Sequence, residues 1–198
     1  MISPTPGLRR MLRAGVLLAV LGAGTAIADD YSPVTQLISS GQLTEAMHKA
    51  DQYLAKNPRD PQMRFLKGLI QQDAGKPADA LATFVGLSQD YPELPEPYNN
   101  AAVLHAALGQ LDLARAALES AIRARRSYAV AHENLGDVYT RLAAQAYNQS
   151  QQLDPGNATL APKLALIRQL VGTGAPTRQG VPLTDRVRPP TPAASASR

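Results

Sequence analysis

Gly41, Gly75 and Gly109 stand 34 residues apart, and each is followed five residues later by an alanine: Ala46, Ala80 and Ala114. A fixed period of this length means that the chain is built from repeats. A small supersecondary unit recurring at this spacing is a helical hairpin: Gly supplies the φ > 0 turn between two antiparallel helices, and Ala lets them approach closely. The segments GQLTEA, GKPADA and GQLDLA are variants of one turn. Ala and Leu dominate, β-branched and aromatic residues are sparse, and Trp is absent, so the expected class is all-α.

These residues resemble the tetratricopeptide repeat family, a helix-turn-helix unit with small residues at its eighth and twentieth positions, an aromatic at the twenty-fourth and Pro near the thirty-second. The best copy runs from Pro61 to Leu94, with Gly68, Ala80, Phe84 and Pro92 at those places. The copy from Pro95 to Tyr128 sets Ala102, Ala114, Leu118 and Ala121 at packing positions, with Arg126 where Pro is usual. Upstream, Gly41, Ala46, Ala50, Tyr53 and Pro58 fit the second half of a repeat whose first helix is short, about Ser32 to Ser39. The resemblance covers roughly Ser32 to Pro155 and implies a helical-hairpin solenoid of about three to four repeats.

The fourth copy departs from the pattern. Leu135, Gly136 and Tyr139 make a strong first helix, and Ala143, Tyr147 and Pro155 match a second, yet about five residues of turn between them are missing. Leu135, Val138, Tyr139, Leu142, Ala146, Ser150 and Leu153 instead recur at steps of three and four, one apolar stripe running across the place where the turn should be. This predicts a single fused helix from near Val130 to Leu153, stopping at Asp154-Pro155-Gly156-Asn157. A last helix follows from about Leu160 to Val171, with Pro162 in its first turn and Leu164, Ile167 and Leu170 on one face, and is expected to cap the final repeat.

The two ends are different material. Arg9, Arg10 and Arg13, the apolar stretch Ala14 to Leu21, and Ala26-Ile27-Ala28 read as a secretory signal at 1–28, cleaved after Ala28. The apolar run is shorter than the ~20 residues that span a bilayer, so no stable membrane span is expected after cleavage. Leu8 before Arg9-Arg10 argues for general secretion over twin-arginine export, and the expected location is the periplasm. Residues 172–198, rich in Pro, Gly, Ala, Ser and Thr, read as a disordered tail, leaving 29–171 as the solenoid with its capping helix.

The formal charge of +4 is a property of those ends, because 13 of the 20 Lys and Arg but 15 of the 16 Asp and Glu fall within 29–171, which carries −2. No nucleic-acid partner is expected. The cluster Arg123, Arg125 and Arg126 reads as cations favouring a helix C-terminus. No catalytic residue, metal ligand set or cofactor site emerges either. Cys is absent, and His48, His105 and His132 do not form HExxH, nor is there a GxSxG elbow, P-loop or GxGxxG. His105 is expected to pack between helices, and Asp79 and Asp112 to act as helix caps and dipole partners. Two glycosylation sequons, at Asn148 and Asn157, read as coincidence in a bacterial chain.

The resemblance implies a concave groove lined by the first helix of each hairpin, a surface that in the family binds a peptide segment or partner helix. Carried over by position, the partner-binding residues are Phe65, Leu69 and Gln72, with Gln62 and Asp73, in one repeat. Asn99 and Val103, with Glu96 and Ala106, follow in the next, and Glu133, Asp137 and Arg141 in the last. Asn100 and Asn134 share the sixth position, where an asparagine can hold a bound backbone by its amide or bond locally. The basic pattern that clamps a C-terminal carboxylate is not matched, since Lys67 is isolated. The expected function is a non-enzymatic periplasmic adaptor for another envelope protein. The alternatives are a homodimer formed through the long helix 130–153, or an accessory factor in assembling envelope enzymes.

Overall fold

The computed structural model describes residues 30–173, so the expected signal at 1–28 and nearly all of the expected tail lie outside the described residues. Gly41, Gly75 and Gly109 adopt φ of 73°, 73° and 74°. In each turn the glycine N–H donates to the carbonyl three residues back, and the next N–H to the one five back, as in Gln42 N to Leu37 O at 2.9 Å. Lys76 to Gln71 and Gln110 to His105 repeat that second bond at 2.9 Å. This is the Schellman closure, and it needs a residue without a Cβ at the left-handed position. Three hairpins result: α1 (Tyr31–Ser39) with α2 (Leu43–Lys56), α3 (Pro61–Asp73) with α4 (Pro77–Asp90), and α5 (Pro95–Ala107) with α6 (Leu111–Ala124). Two further helices, α7 (Ala129–Leu153) and α8 (Leu160–Thr173), complete an all-α molecule with no strand among the described residues.

Pro61, Pro77 and Pro95 open α3, α4 and α5, where a missing N–H costs nothing. Asp60 caps α3, its Oδ1 accepting from Met63 N at 2.6 Å, while its Oδ2 accepts from the Tyr31 hydroxyl at 2.7 Å and ties short α1 to the stack. Burial first, then bonds to Tyr53 and Asp60, push the Tyr31 phenol well above its usual value. Asp79 and Asp112 lie in the first turns of α4 and α6, but the capping positions belong to Lys76 and Gln110. The two carboxylates are therefore dipole partners rather than caps.

One apolar cluster joins Val34 and Ile38 to Met63, Leu66, Ile70, Phe84 and Leu87, and a second joins Ala102, Leu111, Leu118 and Ala121 to Ala131 and Val138. Small residues set the spacing within each hairpin. A Cβ on Gly68 would come within 2.7 Å of the Phe84 ring, so only glycine admits that ring at this distance.

The fused helix is present as α7, 25 residues long. Its first half packs on α6 through Val138, which is buried, and through Leu135 and Leu142, which are half-buried. The second half pairs with α8, and Lys163 Nζ lies 5.3 Å from the Tyr147 ring centroid. Leu160 and Leu164 are buried there, but Leu170, expected on the packed face, is 62% exposed. The cap is thus partial: α8 covers the far half of α7, not the face that the first half turns away from α6.

Candidate partner-binding groove

The first helices of the hairpins form an inner row, with α1 touching α3 and α5 touching α7, while α2, α4 and α6 stand outside it. Phe65 and Leu69 lie in its wall, each 3% exposed, with Phe65 5.4 Å from the Phe84 ring centroid. They shape the groove more than they offer surface. Gln72 and Gln62 are half-buried and Asp73 is exposed. Val103, 42% exposed, presents apolar surface on α5, and on α7 Glu133 and Asp137 are exposed with Arg141 half-buried. The isolated base is turned away: Lys67 pairs with Asp51 of α2 at 2.7 Å.

A polar cluster lies between α5 and α7. Glu96 is 6% exposed, and its Oε1 accepts from Arg125 Nη1 at 2.9 Å. Its Oε2 is buried with no hydrogen-bond partner. The Arg125 guanidinium lies 5.7 Å from the centroid of the Tyr128 ring. Burial pushes the Tyr128 phenol up to about 12, helped by the charge of Glu96 and opposed by that of Arg125. Arg125 was expected only as a helix-end cation; it is the ion-pair partner of a buried carboxylate. Hairpin topology carries the signal that sequence reasoning missed, because antiparallel α5 and α6 bring the start of one beside the end of the other.

Asn99 is buried and accepts at Oδ1 from Asn134 Nδ2 at 2.8 Å, bridging α5 to α7. Asn100 donates to the Glu96 carbonyl at 2.9 Å within its own helix. Each sixth-position amide thus commits one N–H within the protein, and a bound backbone would be held by the second, since the group carries two. His105 is half-buried, and its Nδ1 and Gln110 Oε1 are 2.7 Å apart across the Gly109 turn. Among the described residues no group of His and carboxylates could hold a metal ion, and no helix is long and apolar enough to cross a membrane.

Residues 35–94 match the family model for the tetratricopeptide repeat. That segment, from within α1 to just before α5, is the part of the chain that carries the family's pattern. No curated protein matches the chain. Among solved structures, the helical solenoid is similar to MamA, at 21% identity and a TM-score of 0.51, covering 77% of this chain and 86% of that one. It is also similar to the first TPR of Spaghetti (RPAP3) bound to the HSP90 peptide SRMEEVD, at 16% identity and a TM-score of 0.54, covering 58% and 90%. A third is PcrH in complex with the chaperone-binding region of PopD, at 21% identity and a TM-score of 0.51, covering 57% and 90%. At these identities the likeness establishes the fold.

Proposed function

We propose that this protein is a non-enzymatic adaptor of the bacterial periplasm that holds an extended segment or helix of another envelope protein in the groove of its tetratricopeptide-repeat solenoid. The observation that carries this reading is the polar bridge between the inner helices: the Asn99–Asn134 amide pair joins α5 to α7, with the buried carboxylate of Glu96 on the same helix as Asn99. Exposed Val103, Glu133 and Asp137 extend the site with one apolar and two acidic contacts, which favours a segment carrying basic residues over an acidic C-terminal tail. Two of the similar solved structures hold a peptide or a partner's binding region, in keeping with this use of the fold. The N-terminal signal reading supports export, with cleavage after Ala28.

The test places a photo-crosslinking residue at Val103 in the groove or at Leu113 on the outer helix α6, both exposed. Crosslinking in the periplasm should capture a defined protein from Val103 and not from Leu113, and replacing Asn100 and Asn134 by Ala should weaken that capture about tenfold while helicity persists. Equal capture from both positions, or capture indifferent to the asparagines, removes the groove from the function.

A further inference from the structure

Gly68 and Gly136 occupy the same place in the repeat, 68 residues apart, and their surroundings are opposite. At Gly68 the ring of Phe84 fills the space where a Cβ would stand, at 2.7 Å. Ala102, at the same register, is 1% exposed, and Leu118 of α6, which matches Phe84, is likewise 1% exposed. At Gly136 nothing lies within 4 Å of a Cβ position. The next residue of the slot behaves alike: Gln71 on α3 is held by the Thr83 hydroxyl of α4 at 2.7 Å, whereas its counterpart Tyr139 is 49% exposed. The first half of α7 is a repeat's first helix whose second helix is missing from its side.

That second helix exists, displaced. Ala143, Tyr147 and Pro155 reproduce the four- and eight-residue steps of Ala80, Phe84 and Pro92. They continue α7 without a break, so Tyr147 sits 11 residues beyond Gly136 on the same helix, about 16 Å along its axis. It cannot reach its own slot, because the shortened chain leaves no turn with which to fold back.

We propose that two copies of this chain exchange their arms from Ala143 onward, so that Tyr147 of each copy packs against Gly136 of the other. The first and second helices of a repeat pack antiparallel, and two α7 helices crossing antiparallel near Arg141 and Leu142 bring position 136 opposite position 147 in both directions at once. That is a two-fold arrangement, the commonest for a pair of identical chains. A second copy is the occupant because it carries, in this very chain, the register of alanine, aromatic and proline that matches the bare slot. The arm with α8 is about 30 residues long, enough chain from which to draw one side of an interface of ~800 Å² per partner. The exchange also covers apolar surface now open to solvent, beginning with Tyr139.

The chain has no cysteine, so introduced thiols report without background. Full-length Gly136→Cys and Tyr147→Cys proteins, carrying tags of different mass, are mixed, incubated to equilibrate and oxidised. The expected product is a disulfide between unlike chains, with light scattering of the unmodified protein showing twice the monomer mass. A monomeric mass throughout a micromolar concentration series overturns the proposal, as does a product joining only 136 to 136 or 147 to 147. Gly136→Leu provides the second measurement. The single chain has room for the side chain, so helicity should persist while the dimer dissociation constant rises at least tenfold. An unchanged constant overturns the exchange.

Discussion

Repeat 61–94 and the last repeat, from Ala129 onward, carry the same signature and end in different structures. In the first, Gly68, Ala80 and Phe84 meet across a closed hairpin, and Ala80 and Phe84 are wholly buried. In the second, Gly136, Ala143 and Tyr147 lie along one helix, with Gly136 exposed and the other two half-buried. The residue types are alike and the turn length differs. A repeat's core is thus a property of the connection as much as of the side chains, since glycine, alanine and aromatic stabilise only when a turn of the right length brings them face to face.

The comparison is broken most directly by removing each aromatic in turn. Phe84→Ala should cost about 3–5 kcal/mol by denaturant unfolding, the usual loss for a fully buried ring. Tyr147→Ala, measured at dilutions where the chain is monomeric, should cost about 1 kcal/mol or less. Equal losses would mean that the last repeat closes in solution as the middle one does.

The glycines should separate by sign. Gly68→Ala drives a methyl into the Phe84 ring and should lower stability by about 1–2 kcal/mol, overpacking outweighing the gain in helix propensity. In the monomer, Gly136→Ala meets open space and should raise stability by up to ~1 kcal/mol. A loss at both sites would place a neighbour beside Gly136 within the single chain.

The smallest effect probes the junction at which the last repeat begins, where Tyr128 precedes α7. Its phenol is pushed up to about 12 from 10.0, so the fold favours the neutral form. The stabilisation is whole below pH 10 and is lost as pH rises from 10 through 12. Tyr128→Phe should flatten that part of the alkaline unfolding curve. Some slope should remain, because Tyr31 is shifted in the same direction. A curve identical to that of the wild type would detach Tyr128 from the stability of this junction.

Much of the fold was legible because the turns are chemically specific: a 34-residue glycine period, prolines at helix starts and an apolar stripe without a break each have one ready structural solution. The continuity of α7 could be read for the same reason, as an arithmetic shortage of turn residues. The groove was legible only in outline. Position alone marked Phe65 and Leu69 as binding residues, but their burial depends on neighbouring helices, and 3% exposure makes them wall. Arg125 looked like a helix-end cation, and only the antiparallel pairing of α5 and α6 gave it Glu96 at 2.9 Å. The register of Asn99 and Asn134 across α5 and α7 likewise decides that two amides join at 2.8 Å.

The sequence by itself therefore determined the helices, their order, the turns between them and the one turn that is missing, because these follow from backbone conformations available to a few residues at a time. The tertiary structure alone decided which polar groups are satisfied, which carboxylate oxygen is left without a donor and which face of α7 is left bare. Those outcomes depend on distances between atoms far apart in the chain, which no local preference encodes.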